Sequence, residues 1–335
     1  MWALLNKTAY AAERNWVRDK EGVHWWVVAV RATFDLGVDG RLTLCDEQIP
    51  PVLAPEYRGD PASSSLLVDS DLLGLKPSTD VLLVANAHAP KGKPAGTVPV
   101  VLRVGGLEKQ LIVHGERVYY DGATGLRTTS PAPFITQAIQ YESAFGGGDT
   151  SDPDPSRHRI DERNPVGRGF GRAASWVNKP AHTVEYATGD ASTRGPAGFG
   201  PIDPAWLPRR KLAGTYDARW VETKKPLLPD DYSPTFMQSA PADQRPAVPL
   251  VGGERVGLLN MTPSGSVVFE LPTIHLSFVS RFGSYWSQHD SPVLSTLLLE
   301  PSKGKVSMVW QSGLRVPAAE GDFLDVTEIE ERGSK

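Results

Sequence analysis

The chain has 335 residues, of which 40% are hydrophobic and 22% charged, and its formal net charge is −4. This composition is typical of a folded globular protein with a sizeable core, and it argues against an intrinsically disordered chain. A chain with this charge balance lacks the basic surface that nucleic-acid binding needs, so no nucleic-acid partner is expected.

The N-terminus and the cysteine content indicate the cellular compartment. No apolar run approaches the roughly 18 residues that a membrane helix needs, so no membrane insertion is expected. Lys7, Glu13 and Arg14 interrupt the first residues, which predicts that they form no signal peptide. Cys45 is the single cysteine, which excludes an internal disulfide framework and fits a reducing compartment. The expected location is the cytoplasm.

Residues 1–140 are predicted to be an N-terminal β-rich region. The stretch WWVVAVRATFDL places one alternating set on a single strand face: Trp26, Val28, Val30, Ala32, Phe34 and Leu36. DGRLTL follows as a hairpin partner. DVLLVANAHA predicts a second strand, with Val81, Leu83, Ala85 and Ala87 on one side. TVPVVLRVGGLEKQLIVHGERVYY predicts two strands joined at Gly105 and Gly106, where glycine supplies the positive φ of a tight turn.

Residues 141–245 are predicted to be an irregular middle segment rich in Gly, Pro and Arg. The glycine and proline density excludes long regular elements. Aromatic residues nevertheless continue through it, which disordered linkers seldom show. Short helices are predicted at residues 216–223, ending before Pro226, and directly after Ser233 and Pro234. The segment is therefore expected to be ordered and packed on the sheets.

Residues 246–316 are predicted to be a C-terminal β-rich region with two hairpins, which turn at residues 263–265 and 301–304. Residues 317–335 hold six acidic residues against Arg332 and Lys335, a net charge of −4, and are expected to be a solvated, mobile acidic tail. The predicted fold class is mainly β: two β-sandwich-like regions bridged by the irregular middle segment with its few short helices.

Familiar catalytic and ligand-binding motifs are missing from the sequence. The Gly-rich stretches at 146–152 and 169–175 do not join a strand to a long helix and lack Gly-Lys-Ser/Thr. Asp149, Asp152 and Asp154 have the spacing of a calcium loop without its closing Glu, and the seven histidines lack metal-ligand spacing. No Gly-x-Ser-x-Gly elbow occurs. We predict no catalytic residues, no metal and no cofactor.

Two questions stay open at the level of the residues. Between Asp152 and Arg172, five arginines alternate with four acidic residues, and guanidinium groups can bridge carboxylates and backbone carbonyls. This pattern predicts either a solvated loop network or a rigid platform for another protein. The alternative function is a hydrolytic or carbohydrate-active enzyme that uses carboxylates such as Asp149, Asp161 or Glu162, which requires two of them within about 5–10 Å.

An ordered series of motifs gives the sequence a family resemblance. YESAFGG, NPVGRGF, GTYDARWVETKKPLLPDDYSPTFMQSAPADQ and LVGGERVGLLNMTPSG follow SDLLGLKPSTDVLLVANAHAP and VHGERVYY. The series resembles a bacterial domain-of-unknown-function family that is encoded beside type VI secretion genes and sometimes fused to pentapeptide repeats. The chain departs from the family pattern at Asn86, where a Gly is usual, and near Tyr119 and Tyr120, where a Trp is usual.

The resemblance implies a protein-binding function without catalysis. Members of the family are regarded as adaptors or chaperones that load a secreted toxin effector onto the spike (VgrG-type) protein. It implies a non-enzymatic, cytoplasmic bacterial adaptor, with the effector and the spike as partners. Arginine and aromatic residues are enriched in such interfaces. The candidate partner-binding residues are Tyr141, Phe145, Arg163, Asn164, Arg168, Phe170, Trp206 and Trp220.

Overall fold

The computed structural model describes residues 2–123 and 125–333. Within these ranges the backbone forms short and long strands in the following order: β1 (Ala3–Asn6), β2 (Ala11–Arg18), β3 (His24–Leu36), β4 (Leu42–Leu44), β5 (Glu56–Tyr57), β6 (Leu66–Val68), β7 (Asp80–Leu83), β8 (Asn86–His88), β9 (Thr97–Val104), β10 (Leu107–His114), β11 (Tyr119–Gly122), β12 (Gly125–Thr128), β13 (Thr136–Ala138), β14 (Phe145–Gly146), β15 (Gly148–Asp149), β16 (Arg159–Ile160), β17 (Arg168–Gly169), β18 (Val184–Tyr186), β19 (Arg255–Leu259), β20 (Ser266–Glu270), β21 (Leu276–Phe282), β22 (Tyr285–Gln288), β23 (Val293–Glu300), β24 (Lys305–Val316) and β25 (Leu324–Glu331).

Helices are few and short, as predicted. The α-helices are α1 (Ala191–Arg194) and α2 (Ala218–Thr223). Short 3₁₀ helices lie at Pro90–Gly92, Tyr141–Ser143, Pro155–Arg157, Ala173–Ser175, Arg209–Ala213, Pro234–Met237, Ala242–Gln244, Pro301–Lys303 and Gly321–Phe323. None of the described helices has the length and apolar composition required to cross a membrane. Strands make up 40% of the chain and helices 12%, so the prediction of a mainly β fold is confirmed.

Three larger sheets organise the strands. A six-stranded sheet runs β2–β3–β24–β23–β7, with β4 also pairing with β3. A five-stranded sheet runs β18–β10–β9–β19–β20, and a four-stranded sheet runs β1–β25–β21–β22. The predicted hairpins β9–β10, β19–β20 and β23–β24 are all present. Gly105 adopts a φ of 54° at the turn between β9 and β10, the conformation for which glycine was expected there.

The core confirms the predicted strand faces. Alternate residues of β3, including Trp26 and Val30, join one large cluster with inward residues of β7, β9 and β19. The opposite face of β3 is also buried, because Val27 and Ala29 pack with Leu72 and Val309 in a second cluster. β3 is therefore a central strand that is covered on both faces.

The two β-rich regions of the sequence share their sheets. β3 of the N-terminal region pairs with β24 of the C-terminal region, and β9 pairs with β19. The middle segment contributes β18, which pairs with β10 at one edge of the five-stranded sheet. The middle segment is consequently anchored to a sheet that is built from both ends of the chain.

The structure contradicts the expectation of a mobile acidic tail. β25 lies between β1 and β21 in the four-stranded sheet, and its Leu324 and Ile329 are fully buried in the main core. Asp325 and Glu328 lie between these apolar positions, and Glu328 and Glu330 form ion pairs with Lys7. The expectation was based only on the net charge of the segment and did not consider the apolar positions that allow it to form a strand.

A buried chain of hydrogen bonds connects the six-stranded and four-stranded sheets. The Trp26 indole N–H donates to the Thr327 hydroxyl at 2.8 Å, which lies 2.7 Å from the Ser280 hydroxyl. The Ser280 hydroxyl lies 2.7 Å from Nε2 of His289, while Nδ1 of this ring has no partner among the described residues. Burial lowers the pKa of His289 to about 4.

This histidine predicts an acid sensitivity of the fold. Between pH 6.5 and about 4, His289 stays neutral in the folded chain while it is protonated in the unfolded chain. The unfolded state then binds more protons, so stability falls as the pH is lowered through this window, by up to about 3 kcal/mol from this residue. We expect His289→Gln to reduce the difference in urea unfolding free energy between the two ends of the window.

The exposed His275 provides the matched control. We expect His275→Gln to retain the acid-dependent loss of the unmodified chain. An equally steep pH dependence in the unmodified chain and in His289→Gln would show that the buried imidazole does not take up its proton on unfolding.

Candidate partner-binding surface in the middle segment

Residues 141–172 fold back on themselves in two small ladders. β14 pairs in parallel with β17, and β15 pairs with β16. The amide N–H of Gly147 donates to the carbonyl of Asn164 at 2.8 Å, and that of Phe170 donates to Gly146 at 2.9 Å. This Arg-rich stretch is therefore ordered by hydrogen bonds of its own backbone.

Asn164 lies at the centre of this fold-back and is completely buried. Its side-chain amide donates to the carbonyls of Tyr141 at 2.8 Å and Phe145 at 3.0 Å. A Cβ on Gly146 would lie 2.3 Å from the Asn164 carbonyl oxygen, and one on Gly167 would lie 2.3 Å from the Asn164 side-chain nitrogen. Gly146 of YESAFGG and Gly167 of NPVGRGF are therefore required for the close approach to Asn164.

The three carboxylates on which the enzyme alternative relies are each paired with an arginine. Asp149 accepts from Nε of Arg172 at 2.8 Å, and this bond holds the pKa of the Asp149 carboxyl well below its ordinary value. Asp161 accepts from Nε of Arg163 at 2.8 Å and from its Nη2 at 2.7 Å, a bidentate contact that raises the pKa of Arg163. The third pair joins Glu162 and Arg210 at 2.7 Å.

These ion pairs bear directly on the enzyme alternative, which needs free carboxylates. Asp149 and Asp161 are both buried, and Asp149, Asp161 and Glu162 each contact a guanidinium group. The lowered pKa of Asp149 makes this carboxyl a poor general acid and a weak base. Ion pairs of this kind fit both interpretations of the segment, a solvated loop network and a rigid platform. Within residues 2–123 and 125–333, no group of three or more His, Cys, Asp or Glu is placed to hold a metal ion.

The eight candidate partner-binding residues fall into two groups. The buried group consists of Tyr141, Phe145, Asn164 and Trp206. The half-buried group, which reaches solvent, consists of Arg163, Arg168, Phe170 and Trp220. The Tyr141 hydroxyl donates to the Gly200 carbonyl at 3.1 Å, and its ring meets Trp206 edge-on at 5.8 Å. The buried residues thus hold the segment on the core, whereas partner binding by the accessible ones stays a prediction.

Trp220 lies apart from the fold-back, on the short helix α2. The Asp217 side chain caps this helix by accepting from the Trp220 amide at 2.9 Å. The Trp220 indole N–H donates to the Leu227 carbonyl at 2.8 Å, and its ring contacts Tyr216 edge-on at 4.7 Å. The exposed Tyr216 therefore offers more surface to a partner than Trp220 does.

Sequence reasoning missed a buried lysine. Lys109 on β10 donates to the carbonyl of Gly198 at 2.7 Å, to Asp243 at 2.9 Å and to Gln244 at 2.7 Å. Burial lowers the pKa of Lys109 to about 8. The sequence contained an indication of this burial. Lys109 lies two residues before the apolar Leu111 on β10, and side chains two residues apart point to the same face of a strand.

A second missed residue is Arg209, which is buried and paired with Asp69 at 2.7 Å. It also donates to the carbonyls of Ile202 at 2.8 Å and Phe236 at 2.8 Å. Arg209 lines a cavity of about 380 Å³ in the middle segment. We call this cavity the arginine pocket, after the four arginines in its lining, which are Arg163, Arg194, Arg209 and Arg245.

The central position of Asn164 leads to a stability prediction. We expect Asn164→Asp to lower the unfolding free energy by about 2 kcal/mol or more, because two buried carbonyls lose their donor and face a carboxylate. Asn178, which is exposed and has a positive φ that Asp also tolerates, provides the control Asn178→Asp. Equal melting temperatures for the two variants would show that Asn164 does not hold the fold-back together.

Comparison with known proteins gives the chain a family. The model of a family described as uncharacterized protein conserved in bacteria (DUF2169) matches residues 21–311. No curated protein and no solved structure matches the chain. The matched range contains the entire middle segment, including Asn164 and the glycines packed against it. Because the match covers most of the sequence, the protein belongs to this bacterial family, DUF2169.

Proposed function

We propose that this protein is a non-enzymatic adaptor or chaperone of the bacterial cytoplasm. In this role it binds a type VI secretion effector and helps to load it onto the spike protein. The proposal is supported by the resemblance of the ordered motif series to a family encoded beside type VI secretion genes. Membership of the bacterial DUF2169 family over residues 21–311 is consistent with that resemblance.

The geometry of residues 141–172 is the observation that favours an adaptor most. The segment is ordered by its own ladders and by Asn164, so binding there costs little further conformational entropy. It leaves Arg168 and Phe170 partly accessible, and both residue types are enriched in protein interfaces. A preorganised surface of this kind suits the docking of another protein.

The enzyme alternative receives less support. It relied on Asp149, Asp161 or Glu162, and each of these carboxylates contacts an arginine. In an adaptor, the same ion pairs would serve to rigidify a loop surface that has few β-sheet hydrogen bonds.

Co-purification tests the proposal. We would co-express the chain with the toxin and the spike protein encoded beside it and determine the mass of the eluted species by light scattering. We expect a stable binary or ternary complex. The absence of a complex with either neighbour would contradict the adaptor function.

Two variants locate the docking surface. Arg168→Ala removes a side chain that donates a long hydrogen bond, of 3.4 Å, to the Ala181 carbonyl, and Phe170→Ala removes a partly accessible aromatic ring. We expect each to weaken the complex about 30-fold or more, because truncation of an interface hot spot costs about 2 kcal/mol or more. Arg103→Ala, on an exposed face of β9, is the control and should leave affinity unchanged.

Arg163→Ala would be a less selective variant, because it also strips the buried Asp161 of its bidentate partner. A complex that is indifferent to both Arg168→Ala and Phe170→Ala would leave residues 141–172 as scaffolding. The docking surface would then lie elsewhere on the molecule.

A further inference from the structure

The arginine pocket is a second feature of the middle segment, beside the surface of residues 141–172. Its cavity of about 380 Å³ falls within the size range of ligand sites. The walls combine the four arginines with apolar and aromatic side chains, namely Tyr141, Tyr186, Ile202, Leu207 and Leu212. Asp243 is the one acidic residue in the lining.

The pocket has an excess of positive charge after its internal ion pairs are subtracted. Arg163 is paired with Asp161, Arg209 with Asp69, and Asp243 with the buried Lys109. Arg194 and Arg245 form no ion pair with a carboxylate of the described ranges. The buried Asp80 interacts electrostatically with Arg245 but is itself paired with Lys76, so two positive charges remain. Asp203 lies with Asp69 and Arg209 around Tyr57, and counting it still leaves an excess of one.

Hydrogen-bond donors of the two unpaired arginines remain unused. Arg245 donates from Nε to the Ala240 carbonyl at 2.7 Å and from Nη2 to the Gln238 carbonyl at 3.2 Å, while Nη1 has no partner among residues 2–123 and 125–333. The Arg194 guanidinium lies 4.4 Å from the ring centre of Tyr186, and its side chain makes no hydrogen bond to the described residues. Burial lowers the pKa of Arg245, a cost that a bound anion would offset.

The lining also indicates the class of anion. A guanidinium fork matches the paired oxygens of carboxylates and phosphates alike, whereas the apolar walls favour a peptide, whose side chains bring hydrocarbon groups beside the anion. The formal net charge of −4 gives no indication of the extended basic surface that a nucleic-acid backbone needs. We propose that the arginine pocket binds the carboxylate of an acidic peptide segment of the partner protein, using the free donors of Arg194 and Arg245.

The identity of this partner as an effector or spike rests on the proposed adaptor function. The binding chemistry itself can be tested on the complete chain without either protein. The probe is a short fluorescent peptide of alternating glutamate and leucine, and its matched control has glutamine in place of every glutamate. Binding is followed by fluorescence anisotropy at low and high salt.

We expect the glutamate peptide to bind and the glutamine peptide to bind at least about tenfold more weakly, since hydrogen bonds between charged groups are lost. Arg194→Gln should weaken binding of the glutamate peptide about tenfold, because a charged hydrogen-bond donor is lost. The Arg194 side chain is exposed, so its replacement should leave the fold intact. Added salt should weaken binding further. Arg103→Gln on β9 is the control and should bind like the unmodified chain.

Arg245→Gln is the second variant, and its melting temperature is recorded because Arg245 also holds two backbone carbonyls. Equal affinity for the two peptides, or binding unaffected by both Arg194→Gln and Arg245→Gln, would overturn the proposal. Free glutarate that competes as tightly as the glutamate peptide would assign the pocket to a small dicarboxylate and also overturn the peptide assignment.

The outcomes separate the pocket from the adaptor function. A chain that co-purifies with the toxin or spike but does not bind the glutamate peptide refutes the pocket alone. A chain that binds the peptide through Arg194 but forms no complex with either neighbour refutes the adaptor function and retains the acidic-peptide site.

Discussion

The pairing of β3 with β24 is the interaction on which the remainder of the fold depends. Twelve residue pairs join these strands, which lie near opposite ends of the sequence. Bringing them together closes a loop that contains the whole middle segment, and closing so long a loop costs entropy. The burial of both faces of β3, with Trp26 on one side and Val27 on the other, offsets this cost.

This closure explains how an irregular segment acquires a defined surface. β18 anchors the middle segment to β10, and Lys109 on the same strand holds the 3₁₀ turn at Ala242–Gln244 through Asp243 and Gln244. From these attachments the Gly- and Pro-rich backbone is organised by Asn164 and by arginine–carboxylate pairs. The candidate docking surface and the arginine pocket both rest on this frame.

Local features of the fold were predictable from the sequence, whereas long-range features were not. Hairpin turns such as Gly105 and the capped helix α2 depend on neighbouring residues, so their signals lie within a few positions. Strand partners such as β3 and β24 are chosen by burial across the whole chain, which a single sequence does not reveal. Aromatic residues in loops can anchor a segment to the core or contact a partner, and the sequence alone did not separate these two roles for Tyr141 and Trp206, which are both buried.

Hydrogen exchange of the free protein tests most directly whether residues 141–172 are ordered without a partner. We expect slow exchange for the amides of Gly147, Arg168 and Phe170, which donate to backbone carbonyls within the segment. Their protection should approach that of β3 and β24. Exchange at the rate of an unfolded peptide in this segment, with β3 and β24 still protected, would contradict a preorganised docking surface.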